Sequence, residues 1–171
     1  MIALFSLFVT NVVAFNPEIA ALSYCQTPDT SNCEFYTNCL EASHPCGSTG
    51  YALDCTPKCN AFITNKHKFS EKGQLWLSSV RSCLQQSLIP LLSNESSTCD
   101  AISVFAFNSH PSCYLKPIDG VDICTLDPLV DWAALVELIG VKAMFELAVI
   151  RNEEVTAIGC LGQYLGFMKG L

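Results

Sequence analysis

Positive charge is scarce in this chain. Nine Lys+Arg stand against sixteen Asp+Glu, for a net charge of −7. Nucleic-acid binding needs a basic face to meet the phosphates, so that class is excluded. Long hydrophobic runs are also missing. The apolar start, residues 1–14, falls short of the roughly 20 residues a membrane span needs. The best later stretch is interrupted by Glu137, Lys142 and Glu146. No long alternation of apolar and polar residues occurs, so strands are not expected. Internal repeats, low-complexity blocks and inter-domain linkers are absent as well.

Catalytic signatures are equally sparse. Gly47-Ser48-Thr49-Gly50 does not fit G-x-S-x-G, which needs the serine in the middle of five residues. No histidine is followed by the aspartate of a secreted helical phospholipase. Asp119 and Asp122 flank Gly120 without the alternating oxygen ligands of a calcium loop. Structural zinc uses two close cysteine pairs. Here only Cys55-x3-Cys59 is close, and His44, His67 and His110 fall singly. The reading is a non-enzymatic protein with no cofactor and no metal.

What the chain has in quantity is cysteine, eleven in 171 residues. The opening MIALFSLFVTNVVA is apolar, carries no charged side chain and ends in small residues suited to cleavage after Ala14. It reads as a secretory signal peptide, leaving one domain over 15–171. Many cysteines in a secreted chain imply a disulfide framework. Eleven is odd, so at least one is free or pairs with another chain.

Five of them, Cys33, Cys39, Cys46, Cys55 and Cys59, fall within 27 residues rich in Gly, Pro, Ser and Thr. Cross-links make such a segment rigid by removing unfolded conformations. Phe35, Tyr36, Glu41, His44 and Tyr51 lie in it and form the candidate recognition surface. The competing reading packs these aromatics against the disulfides.

The remaining sequence reads as helices. Asn16 caps a short one that starts at Pro17 and stops before Cys25. One or two turns fit 34–42. Pro57 argues against a helix running through Cys55 to Cys59. Ser70 caps a long central amphipathic helix over 70–92, with Trp76, Val80, Cys83, Leu84, Leu88 and Leu91 inward and Pro90 at its end. Asn94-Glu95-Ser96 is an N-glycosylation acceptor in a polar loop. A second helix covers 99–107, with Cys99, Ile102, Phe105 and Ala106 on one side, until His110-Pro111 breaks it. Asp127-Pro128 starts a third, with Leu129, Trp132, Ala133, Val136 and Ile139 inward. Gly140 ends or kinks it, and 141–151 continues. A last helical stretch over 153–165 carries Cys160. The expectation is an all-α, disulfide-cross-linked helical domain around a long central helix.

The run C-x5-C-L-E-x4-C-G-x2-G-Y, from Cys33 to Tyr51, resembles the stanniocalcins and stanniocalcin-like secreted proteins. The match continues in order through Cys59 and Phe62, then Phe69, Gly73 and Trp76, then Cys83-Leu84, Cys99, Cys113-Tyr114, Cys124 and Cys160. The resemblance implies five intrachain disulfides made from Cys25, Cys33, Cys39, Cys46, Cys59, Cys83, Cys99, Cys113, Cys124 and Cys160. It also implies a secreted, helical glycoprotein, commonly a homodimer, that acts as a hormone or local signal in calcium and phosphate homeostasis. Some members bind secreted metalloproteinases. Two departures stand out. The family's interchain cysteine does not follow Cys160 here, and Cys55 falls where the family usually has none. Cys55 is therefore either an interchain link or a buried free thiol.

The leading expectation is an extracellular signalling glycoprotein that binds a protein receptor or secreted target, with Asn94 as its glycosylation site. The alternative is a carrier of a lipid or sterol. That would require an apolar cavity lined by Trp76, Leu84, Phe105 and Trp132.

Overall fold

The computed structural model describes residues 15–148. The expected signal peptide at 1–14, the helix at 153–165 and Cys160 lie outside them. Asn16 opens the described chain as a cap, its side chain accepting the Glu18 N–H, and Pro17 takes the first helical position. The resulting turn α1, Pro17–Ala20, ends before Cys25 as expected, and Cys25 falls in a second, unexpected turn α2, Ser23–Gln26. A π-helical turn over Tyr36–Glu41 leads to α3, Tyr51–Thr64, and a 3-10 turn at Lys66–Lys68. Then come α4, Glu71–Leu88, and α5, Cys99–Leu115. Last is α6, Asp131–Ala148, broken at Gly140, whose φ is +80°. Among the described residues the only β pairing is an isolated bridge, Ile118 to Val121. The fold is all-α and cross-linked by disulfides.

The long central helix is α4, and it serves two cores. Its first half, through Trp76, Leu77, Val80 and Leu84, packs on Val121, Ile123, Leu126, Trp132 and Leu135. At its other end, Leu88, Leu91 and Leu92 join Cys25, Phe35, Tyr36, Leu40, Tyr51, Ile102 and Ala106. Cys83, on the apolar stripe of α4, bonds to Cys113 of α5. The other described bonds are Cys25–Cys39, Cys33–Cys59 and Cys46–Cys99. Cys124 is disulfide-bonded too.

Both prolines expected to stop helices lie inside them. Pro57 sits within α3 and Pro111 within α5. A helical proline forfeits the bond to the carbonyl four residues back and crowds it. Those carbonyls belong to Leu53 and Phe107, both on exposed positions where water can serve them. Tertiary links hold the chain helical beyond each proline. Cys59 is tied to Cys33, Cys113 to Cys83, and the Trp76 indole N–H donates to the Tyr114 carbonyl at 3.0 Å.

The inward stripe of α6 is also shifted from expectation. Leu129 is 81% exposed and Ala133 is exposed, whereas Trp132, Ala134 and Leu135 are buried. Residues 128–130 form a capping turn in which the Asp127 carboxylate accepts the Leu129 and Val130 N–H groups. The helix proper starts at Asp131, fully buried at 0% exposure. Its Oδ1 accepts the Ser70 N–H at 2.7 Å. Its Oδ2 accepts the Ser70 hydroxyl at 2.8 Å and the Asp127 N–H at 2.9 Å. Ser70 Oγ in turn accepts the Gly73 N–H. One carboxylate thus joins the starts of α4 and α6.

Gly73 makes room for it, since a Cβ there would stand 2.2 Å from Asp131 Oδ1. Gly73→Ala should destabilise the fold by about 1–3 kcal/mol through overpacking. Combined with Asp131→Ala, it should cost less than the sum of the two single changes. Chemical unfolding of the four proteins measures both. Additive costs would show that the contact is not the cause.

Candidate functional site

The cysteine-rich segment does not present the expected recognition surface. Phe35, Tyr36, His44 and Tyr51 are all buried. Glu41 turns inward to accept the Gly47 N–H at 2.7 Å, closing a turn in which Gly47 has φ +73°. The physical reason is volume. Disulfides bring short backbone stretches together but leave space between them, and aromatic rings fill it. Tyr36 stacks edge-on with Phe35 and with Tyr51, at 6.0 and 6.2 Å between centroids. The sulfurs of Cys25, Cys33 and Cys39 belong to the same core.

His44 is held at both ring nitrogens. Nδ1 faces the Ser43 hydroxyl at 3.0 Å and Nε2 faces the Asn94 carbonyl at 3.1 Å. Nε2 faces a carbonyl, so it carries a proton and donates to Asn94, while the Ser43 hydroxyl beside Nδ1 donates to the Leu40 carbonyl at 3.1 Å. Asn94 itself is exposed in the loop between α4 and α5. Its side-chain oxygen accepts from the Ser96 N–H at 3.2 Å and the Ser96 hydroxyl at 2.7 Å.

What the fold does bring together is a polar cluster on the seam of α3 and α5. Tyr51 OH lies 2.9 Å from His110 Nε2, and Tyr114 OH lies 3.4 Å from His110 Nδ1. Phe107 closes the cluster, edge-on to Tyr51 at 5.4 Å. Cys55, the one free cysteine among the described residues, is half-buried here beside Tyr51. Both ring nitrogens are satisfied if His110 Nε2–H donates to the Tyr51 oxygen and Tyr114 O–H donates to Nδ1. In the sequence, His110 and Cys55 are 55 positions apart with no motif linking them. Only the packing of α3 against α5 joins them.

The cluster is neutral. Burial, aided by the Lys58 charge, pulls the His110 imidazole down to about 4. Burial pushes the Cys55 thiol up, against a smaller opposing effect of Tyr51. The phenols of Tyr36, Tyr51 and Tyr114 are raised by burial as well. A reactive cysteine needs an electropositive setting that favours thiolate. This one favours the thiol over the thiolate. Among the described residues, no group of three or more His, Cys, Asp or Glu is placed to hold a metal. No helix among them is long and apolar enough to cross a membrane.

The cavity expected of a carrier does not assemble from the named residues. Trp76, Leu84 and Trp132 pack into one core, while Phe105 is 42% exposed on α5. An open groove of about 630 Å³ lies instead along the outer side of α4, lined by Ser78, Ser79, Ser82, Gln86, Pro117 and Ile118 among others. It is open to solvent, unlike the enclosing apolar pocket that a lipid needs. Compared with known proteins, the chain matches no family model, no curated protein and no solved structure.

Two measurements follow from the neutral cluster. His110 binds a proton less readily when folded than when unfolded, so its contribution is present above about pH 6.5 and is lost as pH falls towards 4. The loss is on the order of 2–3 kcal/mol. Urea unfolding at several pH values should show this slope, and His110→Phe should flatten it between pH 6.5 and 4. An unchanged slope would place the titration elsewhere. Cys55, held as a thiol, should react with iodoacetamide at pH 7.5 at least about tenfold more slowly in the folded than in the denatured chain. Equal rates would mean that the sulfur is exposed.

Proposed function

We propose that this chain is a secreted signalling glycoprotein of stanniocalcin type, acting in calcium and phosphate homeostasis by binding a protein partner. The observation that carries this reading is the state of the cysteines. Cys25, Cys33, Cys39, Cys46, Cys59, Cys83, Cys99, Cys113 and Cys124, which the resemblance assigns to intrachain bonds, are disulfide-bonded. Cys55, which has no counterpart in the family pattern, carries a free thiol. Disulfides persist in oxidising compartments, which supports an extracellular setting. The exposed Asn94 supports glycosylation.

The binding surface is not the one read from the cysteine-rich segment, since those aromatics are buried. The apolar side chains left to meet a partner include Val104, Phe105 and Phe107, all exposed on α5. Single exposed apolar residues need no explanation, but three within four positions of one helix mark a contact surface. A covalent homodimer draws little support from Cys55, whose sulfur is half-buried in the seam. The protein is proposed to act without catalysis and without a metal or cofactor.

The test is to express the full chain with its own leader, purify it from the medium and apply it to the cells that make it. Uptake of radiolabelled calcium and phosphate is then followed. A saturable change in either, weakened by Val104→Asp with Phe107→Asp, is the expected result. A chain that stays inside the cell removes the secreted reading. A secreted chain with no effect at any dose removes the signalling one.

A further inference from the structure

The loop that carries Asn94 is clamped from a distance. Asn94 N–H donates to the Leu91 carbonyl at 3.1 Å, and the Asn94 carbonyl accepts from Ser97 N–H at 3.0 Å. The same carbonyl faces the His44 Nε2 at 3.1 Å, and His44 is only 3% exposed. The Cys46–Cys99 bond brackets this contact, two residues past His44 on one side and five past Asn94 on the other. No other described disulfide joins these two segments.

The acceptor tripeptide has its own internal bonds. Ser96 donates its hydroxyl to Asn94 Oδ1 at 2.7 Å, and its N–H to the same oxygen. The N-x-S/T consensus means that the transferring enzyme reads the hydroxyl two residues on as well as the asparagine amide. In the fold that hydroxyl is already engaged, and the backbone is closed into a tight turn. The folded loop therefore withholds from the enzyme what the consensus says it reads.

We infer that closure of the Cys46–Cys99 disulfide ends the period in which Asn94 can be glycosylated. The redox state of that one pair then sets how much of the protein carries a sugar. This rests on the proposed passage through the secretory pathway. Two reactions compete. In one, Asn94 Nδ2 forms a bond to C1 of a lipid-diphosphate-linked oligosaccharide, the C1–O bond to the diphosphate breaks, and the amide gives up a proton. In the other, the Cys46 and Cys99 thiols join, passing two electrons and two protons to a dithiol–disulfide oxidoreductase of the secretory lumen. Cys99 is synthesised five residues after Asn94, an interval of roughly 0.3–1 s at about 5–20 residues per second. Disulfide formation takes seconds or longer. Modification thus has a short lead, and what it misses the clamp retains unmodified.

The experiment is translation of the full chain with microsomes, under oxidising and reducing conditions. Protease protection reports entry into the lumen, and a glycosidase-sensitive gel shift reports occupancy. The proteins are wild type, Cys46→Ser with Cys99→Ser, Cys83→Ser with Cys113→Ser, and Asn94→Gln. The expected result is partial occupancy of oxidised wild type, at least doubled in the Cys46/Cys99 variant and in reduced wild type. The Cys83/Cys113 variant should stay near the oxidised wild type, and Asn94→Gln should carry no sugar. Full occupancy of oxidised wild type, or equal occupancy in wild type and the Cys46/Cys99 variant, overturns the inference. An equal rise in both double variants also overturns it, because general misfolding would then be the cause. A protected chain without sugar in any condition overturns the inference alone. A chain that never becomes protected overturns the secretory reading and the inference with it.

Discussion

Among the described residues four disulfide loops overlap along the chain, and the structure depends on that overlap. Cys33 lies inside the loop closed by Cys25–Cys39, Cys46 inside the next, Cys83 inside the third, and Cys99 inside the fourth. On the chain-entropy account, closing loops of this size contributes about 3–4 kcal/mol each. The overlap adds something a set of separate loops would not. No part between Cys25 and Cys113 can leave the fold without straining the next loop. A chain so linked can keep short, weak elements such as α1, α2 and the π-helical turn, none of which would persist alone in water.

Within that linkage α4 is the common axis. One end packs on Trp132 and the 121–126 segment, and the other on the cysteine-rich segment. The Asp131 carboxylate sets the first junction by accepting three donors from two chain segments. Buried charge is costly unless hydrogen bonds surround it. Here two donors are backbone N–H groups just before helices, which have no helical partner, and the third is the Ser70 hydroxyl. The absence of a side chain at Gly73 is part of the same arrangement.

Burial of the cysteine-rich segment redirects the functional argument. A rigid segment with aromatic residues suggests a recognition surface only if the rings point outward. They point inward, where they fill the space between disulfides. The groups that might have been reactive, Cys55 and His110, are kept neutral by the same burial.

Much was legible in the order of residues. Ser70 as the cap of the long helix, Asn16-Pro17 as a helix start, Gly140 as a break and the all-α class follow from local chemistry, because each depends on residues within a turn or two. The prolines misled for the same reason. Pro57 and Pro111 oppose helix locally, and only bonds from Cys33, Cys83 and Trp76, far off in sequence, hold the chain helical past them. The α6 register was missed because the polar Asp131 is buried by donors from Ser70, 61 positions earlier. The Tyr51–Cys55–His110–Tyr114 cluster left no trace in sequence. The chain alone determined which residues could cap, cross-link and turn. Tertiary structure decided which were buried, which paired and which stayed neutral, since burial and long-range hydrogen bonding exist only once distant segments meet.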